Sequence, residues 1–322
     1  MTNVVVIGSF NVDHVWTAAT LPRPGETLSG GYTTGPGGKG FNQATAAARA
    51  GADTLFVCAL GDDVGAQLAR ALAAADGIAL HDQRSEAPTG TAGVFVDASG
   101  RNSIVIGPGA NATLSPAFAA QQAAAVTSAR VLLGQLETPS DAIAAAFSLA
   151  RDAGVTTLLN PAPANAAVPA ALLALTDVLT PNETEFCAQL ERHTGERANA
   201  NTLTTQDDAT LHALCRRLLP HGSVVITLGA AGCFVSHAGS NVRGDGNAHY
   251  RLPAEAANVI DTTGAGDAFN GALAASLANT PDASFAAHVR FANRYAALST
   301  ETAGAAASMP RLAQVAARFG TI

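Results

Sequence analysis

Two short segments hold residue types that do chemistry together. The first is Asp261-Thr262-Thr263-Gly264-Ala265-Gly266-Asp267, continued by Ala268-Phe269-Asn270-Gly271. Gly264 and Gly266 at the start of a helix leave backbone N–H groups uncovered. Such a terminus attracts anions through those donors and the helix dipole. Asp267 falls in the first turn, where a carboxylate also stabilises a helix on its own account. Beside an anion hole it suits phosphoryl transfer: the donors neutralise charge on the transferred group and the carboxylate accepts a hydroxyl proton. A carboxylate is a weak base, so it is expected to orient the hydroxyl and take the proton late. The second segment is Gly37-Gly38-Lys39-Gly40-Phe41-Asn42-Gln43. Lys39 is the only lysine among 18 basic side chains. An amine is a compact charge on a flexible stem, and the flanking glycines let a ligand approach.

Other chemistries fit less well. Gly35-x-Gly37-x-x-Gly40 matches the dinucleotide fingerprint literally, but no strand leads directly into it, as that site requires. A phosphate-binding loop of the Gly-Lys-Ser/Thr type would need a hydroxyl where Gly40 stands. Cys58, Cys187, Cys215 and Cys233 have no metal or disulfide spacing and read as buried thiols. The eight histidines show no metal-binding pattern. Asn111-Ala112-Thr113 and Asn182-Glu183-Thr184 fit the glycosylation tripeptide only formally.

These segments need a scaffold. Residues 4–7 read as a buried strand ended by Gly8, with the polar cluster Asn11, Asp13 and His14 after it. Residues 21–37 read as turns and short strands, and 43–50 as a small-residue helix closed by Gly51. Strands are expected at 54–59, 131–133, 156–159, 178–179 and 224–227, and further strands, of antiparallel type, at 234–236 and 249–252. Helices are expected at 64–75, 116–125, 141–150, 183–190, 209–219, 265–278 and 284–298. Residues 94–96 and 103–106 form a hairpin around Asp97-Ala98-Ser99-Gly100. Val259-Ile260 is read as a strand leading into the Asp261 segment, and the helix after it as amphipathic. The stretch 193–208 reads as a surface loop. Alternating strands and helices argue for an α/β fold with a mostly parallel sheet covered on both faces. Residues 17–37 and 91–106 stand outside the alternation and suit a small β-sheet lid.

The 322 residues are 48% hydrophobic and 13% charged, with a net charge of −7. That composition disfavours disorder and a nucleic-acid partner. No apolar run is long enough for a membrane span and no signal peptide is read, so a cytoplasmic protein is expected.

The chain also resembles, segment by segment, the ribokinases of the PfkB carbohydrate kinase family. The similar segments are Gly8-Ser9-Phe10-Asn11-Val12-Asp13-His14, Gly37 to Gln43, Gln135-Leu136-Glu137, Asn160-Pro161-Ala162-Pro163-Ala164, Thr180-Pro181-Asn182-Glu183-Thr184-Glu185, Thr227-Leu228-Gly229 and the Asp261 segment. Their order is co-linear over nearly the whole chain.

The resemblance implies a single domain over 1–322, a ribokinase-like three-layer α/β/α sandwich with a lid from about 12–36 and 91–107. It implies ATP-dependent phosphorylation of D-ribose at O5. Another pentose, deoxyribose or a nucleoside is the alternative acceptor. A non-catalytic sugar-binding regulator is the alternative of another class, although such a protein could have discarded Asp267 and its glycines. Asn11, Asp13, Gly38, Lys39, Asn42 and Glu137 are implied to hold the sugar together with Asp267, the implied base. Gly264, Ala265 and Gly266 would form the anion hole. Asn182 and Glu185 would help place Mg²⁺ and phosphate, Glu185 through water. Thr227, Gly229, Gly232 and Gly266 would line the nucleotide site, and Asn293 would reach the base or ribose. A potassium ion is implied at Asp261, Thr263, Ser299, Thr302, Gly304 and Ser308, where Thr302 and Ser308 also suit turn chemistry. A homodimer through the lid is implied, since its sheet edges would otherwise be unpaired. Gly229-Ala230-Ala231-Gly232 departs from the family by offering phosphate only backbone donors. Phe41 replaces a smaller residue and either fills core space or narrows the sugar pocket. Trp16 packs in the lid or at a dimer contact.

Overall fold

The computed structural model describes residues 2–239 and 244–320. Its thirteen strands are β1 (Val4–Ile7), β2 (Asn11–Ala18), β3 (Gly31–Gly37), β4 (Thr54–Leu60), β5 (Ala79–Arg84), β6 (Gly90–Asp97), β7 (Asn102–Gly107), β8 (Val131–Gly134), β9 (Thr156–Leu159), β10 (Val178–Leu179), β11 (Ser223–Thr227), β12 (Cys233–Ser236) and β13 (His249–Leu252). The helices are α1 (Lys39–Arg49), α2 (Val64–Ala75), α3 (Pro116–Gln121), α4 (Ala123–Ser128), α5 (Ser140–Asp152), α6 (Ala170–Ala174), α7 (Glu183–Thr194), α8 (Asp208–Leu218), α9 (Ala265–Asn279), α10 (Phe285–Ser299) and α11 (Leu312–Phe319).

Nine strands form one sheet in the order β13-β12-β11-β10-β9-β8-β1-β4-β5. Every neighbouring pair from β5 to β11 is parallel, whereas β12 pairs antiparallel with both β11 and β13. The side chains alternate between two buried layers, as strand geometry demands. Val4 and Val6 of β1 point into a layer shared with α1, α9 and α10, while Val5 and Ile7 point into a layer shared with α5, α7 and α8. This is the three-layer sandwich with both sheet faces covered. The strand order reverses at β1, which lies between β4 and β8. In open α/β sheets the crevice at the carboxyl ends of such strands takes ligands. Gly8 follows β1 there, and Gln135 follows β8.

A second sheet, in the order β3-β2-β6-β7, is built from the two excursions expected to make a lid. The polar cluster Asn11, Asp13 and His14 lies on strand β2. Asp97 accepts from Ser99 and Arg101 and so ties the β6–β7 turn. Trp16 settles in this sheet, stacked on Phe95 with ring centroids 5.2 Å apart and tilted on Tyr32 at 5.3 Å.

Several expectations need correction. Val259 and Ile260 form no strand: they are exposed loop residues, 62% and 69% accessible. The Ile260 and Asp261 N–H groups instead donate to the Thr300 carbonyl. The helix that follows is not amphipathic. Asp267 to Ala278 are buried without a break, because α9 lies between α1, α10 and the sheet. Helix α1 starts at Lys39, four residues before its expected start, because Glu137 and Ser9 sit at its first N–H groups. The expected helix over 116–125 is broken at Gln122 into α3 and α4. The stretch 193–208 contains the end of α7 and a 3₁₀ turn, Ala200–Thr205. Its carbonyls at Thr204 and Gln206 accept from Arg251.

Helices α1 and α9 approach closely because small residues line their contact. A Cβ at Gly271 would stand 2.4 Å from the Gln43 carbonyl oxygen and 2.5 Å from the Ala46 Cβ. Gly271→Ala is therefore expected to lower stability by about 1–3 kcal/mol, against a helix-propensity gain of about 1 kcal/mol. Denaturant unfolding checks this; a more stable variant would show that the two helices part without cost.

Candidate active site

The site forms where β1, β8, α1 and α9 meet. Gly264, with φ +77°, turns the chain into α9, and no side chain caps the helix start. A Cβ on Gly264 would meet Ala305 Cα at 3.0 Å, while a Cβ on Gly266 would meet nothing within 4 Å. The helix start is thus backed by the 305–309 segment on one side and open at Gly266. Asp267 follows, 4% accessible. Its Oδ2 accepts from Asn42 Nδ2 at 2.9 Å and its Oδ1 from Gln43 Nε2 at 2.9 Å. Asn42 Oδ1 is buried and has no hydrogen-bond partner. An unpaired buried acceptor is costly, and this one belongs to the amide whose nitrogen holds the Asp267 carboxylate.

Lys39 opens α1 in the same place. The Asp267 carboxylate raises its ammonium above the ordinary lysine range; desolvation pulls the other way, and Glu137 and Glu185 add to the rise. Lys39 is therefore a firm cation facing three carboxylates. Gly38, with φ +86°, lets the chain pass Phe10 and Asn11: a Cβ there would stand 2.8 Å from the Asn11 N. Glu137 Oε2 accepts from Ser9 Oγ at 2.6 Å and from Lys39 N at 3.0 Å. Glu137 is thus a cap of α1 as well as a neighbour of the crevice.

Asn11 and Asp13 come from strand β2 of the second sheet. Buried Asn111 fixes Asn11, donating from Nδ2 to its Oδ1 at 2.8 Å and to Phe10 O at 2.9 Å. Burial, and then the Glu137 charge, push the Asp13 carboxyl up to about 6. Phe41, one of the two options for narrowing or filling, lies in the core at 1% accessibility, edge-on to Phe10 and Phe56.

Asn182 and Glu185 form a helix capping box: Asn182 Oδ1 accepts from Glu185 N at 2.8 Å, and Glu185 Oε2 accepts from Asn182 N at 2.9 Å. Burial raises the Glu185 carboxyl, opposed by the Asn182 N–H and by Lys39; Asp267 adds to the rise. Across the sheet, the Thr227 N–H donates to Pro181 O, and Gly229 to Gly232 close a tight turn through Leu228 N to Gly232 O at 2.8 Å. Asn293 on α10 lies against this turn, donating to Cys233 Sγ at 3.5 Å and Pro253 O at 3.4 Å.

Asp261 braces the loop before α9. Its Oδ1 accepts from Thr263 N and Oγ1, and its Oδ2 from Gly304 N at 2.8 Å. Burial alone would raise this carboxyl; the Gly304 and Thr263 donors hold it below the usual range. The Ser299 carbonyl accepts from Thr302 N, and Ser308 donates its hydroxyl to Ala305 O. Residues 261–263 and 299–304 are thus held together, with Ser308 beside them. Among the described residues no group of three His, Cys, Asp or Glu side chains could hold a metal by itself.

The sequence reasoning gave no role to Asn111, Gln43 or Gln135, which fix the functional side chains from behind. Their types alone carried no signal, because a buried amide declares itself only through its partners.

The pfkB family carbohydrate kinase model matches residues 1–312. A ribokinase of Staphylococcus aureus is 37% identical over 320 residues, which cover 98% of this chain and 99% of that protein. A bifunctional ribokinase/ribose-5-phosphate isomerase A of Fructilactobacillus sanfranciscensis is 36% identical over 316 residues, or 96% of this chain; the chain spans 55% of that longer protein. The solved structure of Arabidopsis thaliana ribokinase complexed with ribose and ATP superposes with a TM-score of 0.81 at 31% identity, covering 98% of each chain. With its motifs in order and its site assembled at the β1 switch point, this chain belongs to the PfkB family of carbohydrate kinases.

Proposed function

We propose that this kinase transfers the γ-phosphoryl group of ATP to O5 of D-ribose. The observation that carries the reading is that Asp267, held by two amides, lies in the first turn of a helix whose start no side chain caps. Similarity to ribokinases over nearly the whole chain supports ribose as the acceptor.

Asn11, Asp13, Gly38, Lys39, Asn42 and Glu137 hold the sugar hydroxyls, with Asn42 Oδ1 as the waiting acceptor. Asp267 aligns the attacking hydroxyl and takes its proton. Gly264, Ala265 and Gly266 stabilise charge on the transferred group through their N–H donors, the Ala265 N–H turning to it from the Thr262 carbonyl that accepts it here. Thr227, Gly229 and Gly232 line the nucleotide, and Asn293 reaches its base or ribose. The lid closes over the sugar and excludes water, which suppresses ATP hydrolysis.

Mg²⁺ keeps most of its waters and takes few protein carboxylates alongside phosphate oxygens. A lone carboxylate such as Glu185 fits that habit, and the ion would neutralise phosphate charge. A potassium ion fits the oxygen-only set of Asp261, Thr263, Ser299, Thr302, Gly304 and Ser308. The Ser299 and Ser308 protons are committed to Ala296 O and Ala305 O, so their oxygens remain acceptors. The ion would order the loop that backs the anion hole.

The lid also suits a homodimer. Every residue of edge strand β7 is exposed, including Ile104, Val105 and Ile106. An apolar open edge favours pairing with a second copy, and a monomeric mass in light scattering would refute it. No described helix is long and apolar enough to cross a membrane. Four free cysteines and the use of ATP suit a cytoplasmic enzyme.

Coupled ADP release tests the function across D-ribose, 2-deoxyribose, fructose, arabinose and adenosine, each with and without potassium. Highest turnover with ribose, increased by potassium, is expected; preference for another acceptor would refute ribose. Asp267→Asn should lower kcat by about 100-fold or more while sugar binding in calorimetry persists; unchanged turnover would remove Asp267 from the reaction. Asp13 is the acid-sensitive contact. Its carboxyl, raised to about 6, protonates as pH falls through that value and loses its acceptor role. The KM for the sugar should therefore climb below pH 6, approaching about tenfold per unit, and Asp13→Asn should abolish that slope.

A further inference from the structure

Behind Asp267 lies a chain of buried amides, and two backbone carbonyls fix its direction, because a carbonyl only accepts. Thr180 O takes Asn160 Nδ2 at 2.9 Å, so Asn160 Oδ1 faces the other way and accepts from Gln43 Nε2 at 3.1 Å. Gly266 O takes Asn270 Nδ2 at 2.8 Å, and Asn270 Oδ1 accepts the Thr180 hydroxyl. Gln43 Oε1 accepts from Gln135 Nε2 at 2.7 Å. Both hydrogens of the Gln43 amide are thereby assigned, one to Asn160 and one to Asp267 Oδ1 at 2.9 Å. Gln43 and Gln135 are both 0% accessible.

We propose that Gln43 is a positioning residue for phosphoryl transfer, whose locked amide sets the rotation of the Asp267 carboxylate so that the oxygen held by Asn42 faces the sugar hydroxyl. The inference rests on the reading of Asp267 as the base. The terminal torsion of an aspartate is broad, so a single donor from Asn42 would leave the carboxylate plane free to swing. A second donor from the next residue of α1 pins the other oxygen. Reacting groups misplaced by about 1 Å lose on the order of 100-fold in rate, so the pinning is worth having even though Gln43 touches no substrate.

Gln43→Glu tests this without changing shape. The introduced carboxyl would face Asp267 on α9 and Asn160 and Gln135 around it, with Lys39 on α1, Glu137 after β8 and Glu185 on α7 as the other charges of the site. Ionised, it cannot donate and repels Asp267; protonated, it donates one hydrogen in place of the amide. At pH 8, kcat should fall about 100-fold with the KM for ribose and for ATP within about threefold of the parent. Between pH 8 and pH 6, kcat should recover at least about tenfold relative to the parent. Gln43→Asn, one methylene shorter, should show the loss without the recovery, and carries the test if Gln43→Glu does not fold. Parental kcat in the folded variants overturns the proposal. So does a loss of kcat matched by rising KM and a lowered unfolding midpoint, which marks a structural role alone. Asp267→Asn in the same assay separates the two claims: its retained turnover sinks the base reading, whereas its inactivity beside parental Gln43 variants sinks only this inference.

Discussion

The contact on which the site depends is the one between a buried carboxylate and two consecutive amides. Asn42 and Gln43 reach Asp267 only because α1 and α9 run nearly in van der Waals contact along Gly271, Ala46 and Ala47. A larger residue at that crossing would separate the amides from the carboxylate. The small side chains of these helices therefore belong to the chemistry as much as to the packing. They let two apolar helices bring polar ends together in a crevice where the local dielectric is low and each hydrogen bond counts for more.

The sheet supplies the second half of the arrangement. Because β1 sits where the strand order reverses, Ser9, Asn11 and Asp13 leave one strand end, and Gln135 and Glu137 leave the neighbouring one. Glu137 then serves two purposes. It receives the first N–H groups of α1 through its own oxygen and through Ser9, and its charge adds to burial in raising the pKa of Asp13. The helix carrying Lys39 is in this way anchored by a residue proposed to hold the sugar. Asn182 and Glu185 repeat the pattern: residues implied to act on Mg²⁺ and phosphate also close the start of α7.

Much of this was legible in the sequence. The alternation of strands with helices foretold the covered parallel sheet, and the two segments without helices foretold the second sheet. The lone lysine and the glycine-flanked aspartate pointed at the pair that now faces across the crevice. What was not legible depended on tertiary contact. Val259-Ile260 has strand composition, yet the loop finds its partner in the Thr300 carbonyl and no sheet edge. Helix α9 looked amphipathic until three neighbours covered it. Asn111, Gln43 and Gln135 are uncharged amides that any surface also uses, and only their partners, 92 to 224 residues away in the chain, reveal their work.

The single lysine has a consequence for anyone who wishes to watch this protein. Lys39 is the only side-chain amine in 322 residues, and it stands inside the crevice among Asp267, Glu137 and Glu185. Amine-selective reagents attack the neutral amine, and the charges of Asp267, Glu137 and Glu185 hold this one protonated. The folded chain therefore shields its one side-chain amine from such reagents, and unfolding releases it to the ordinary lysine range, so labelling of that nitrogen reads on loss of the crevice while the arginines remain silent.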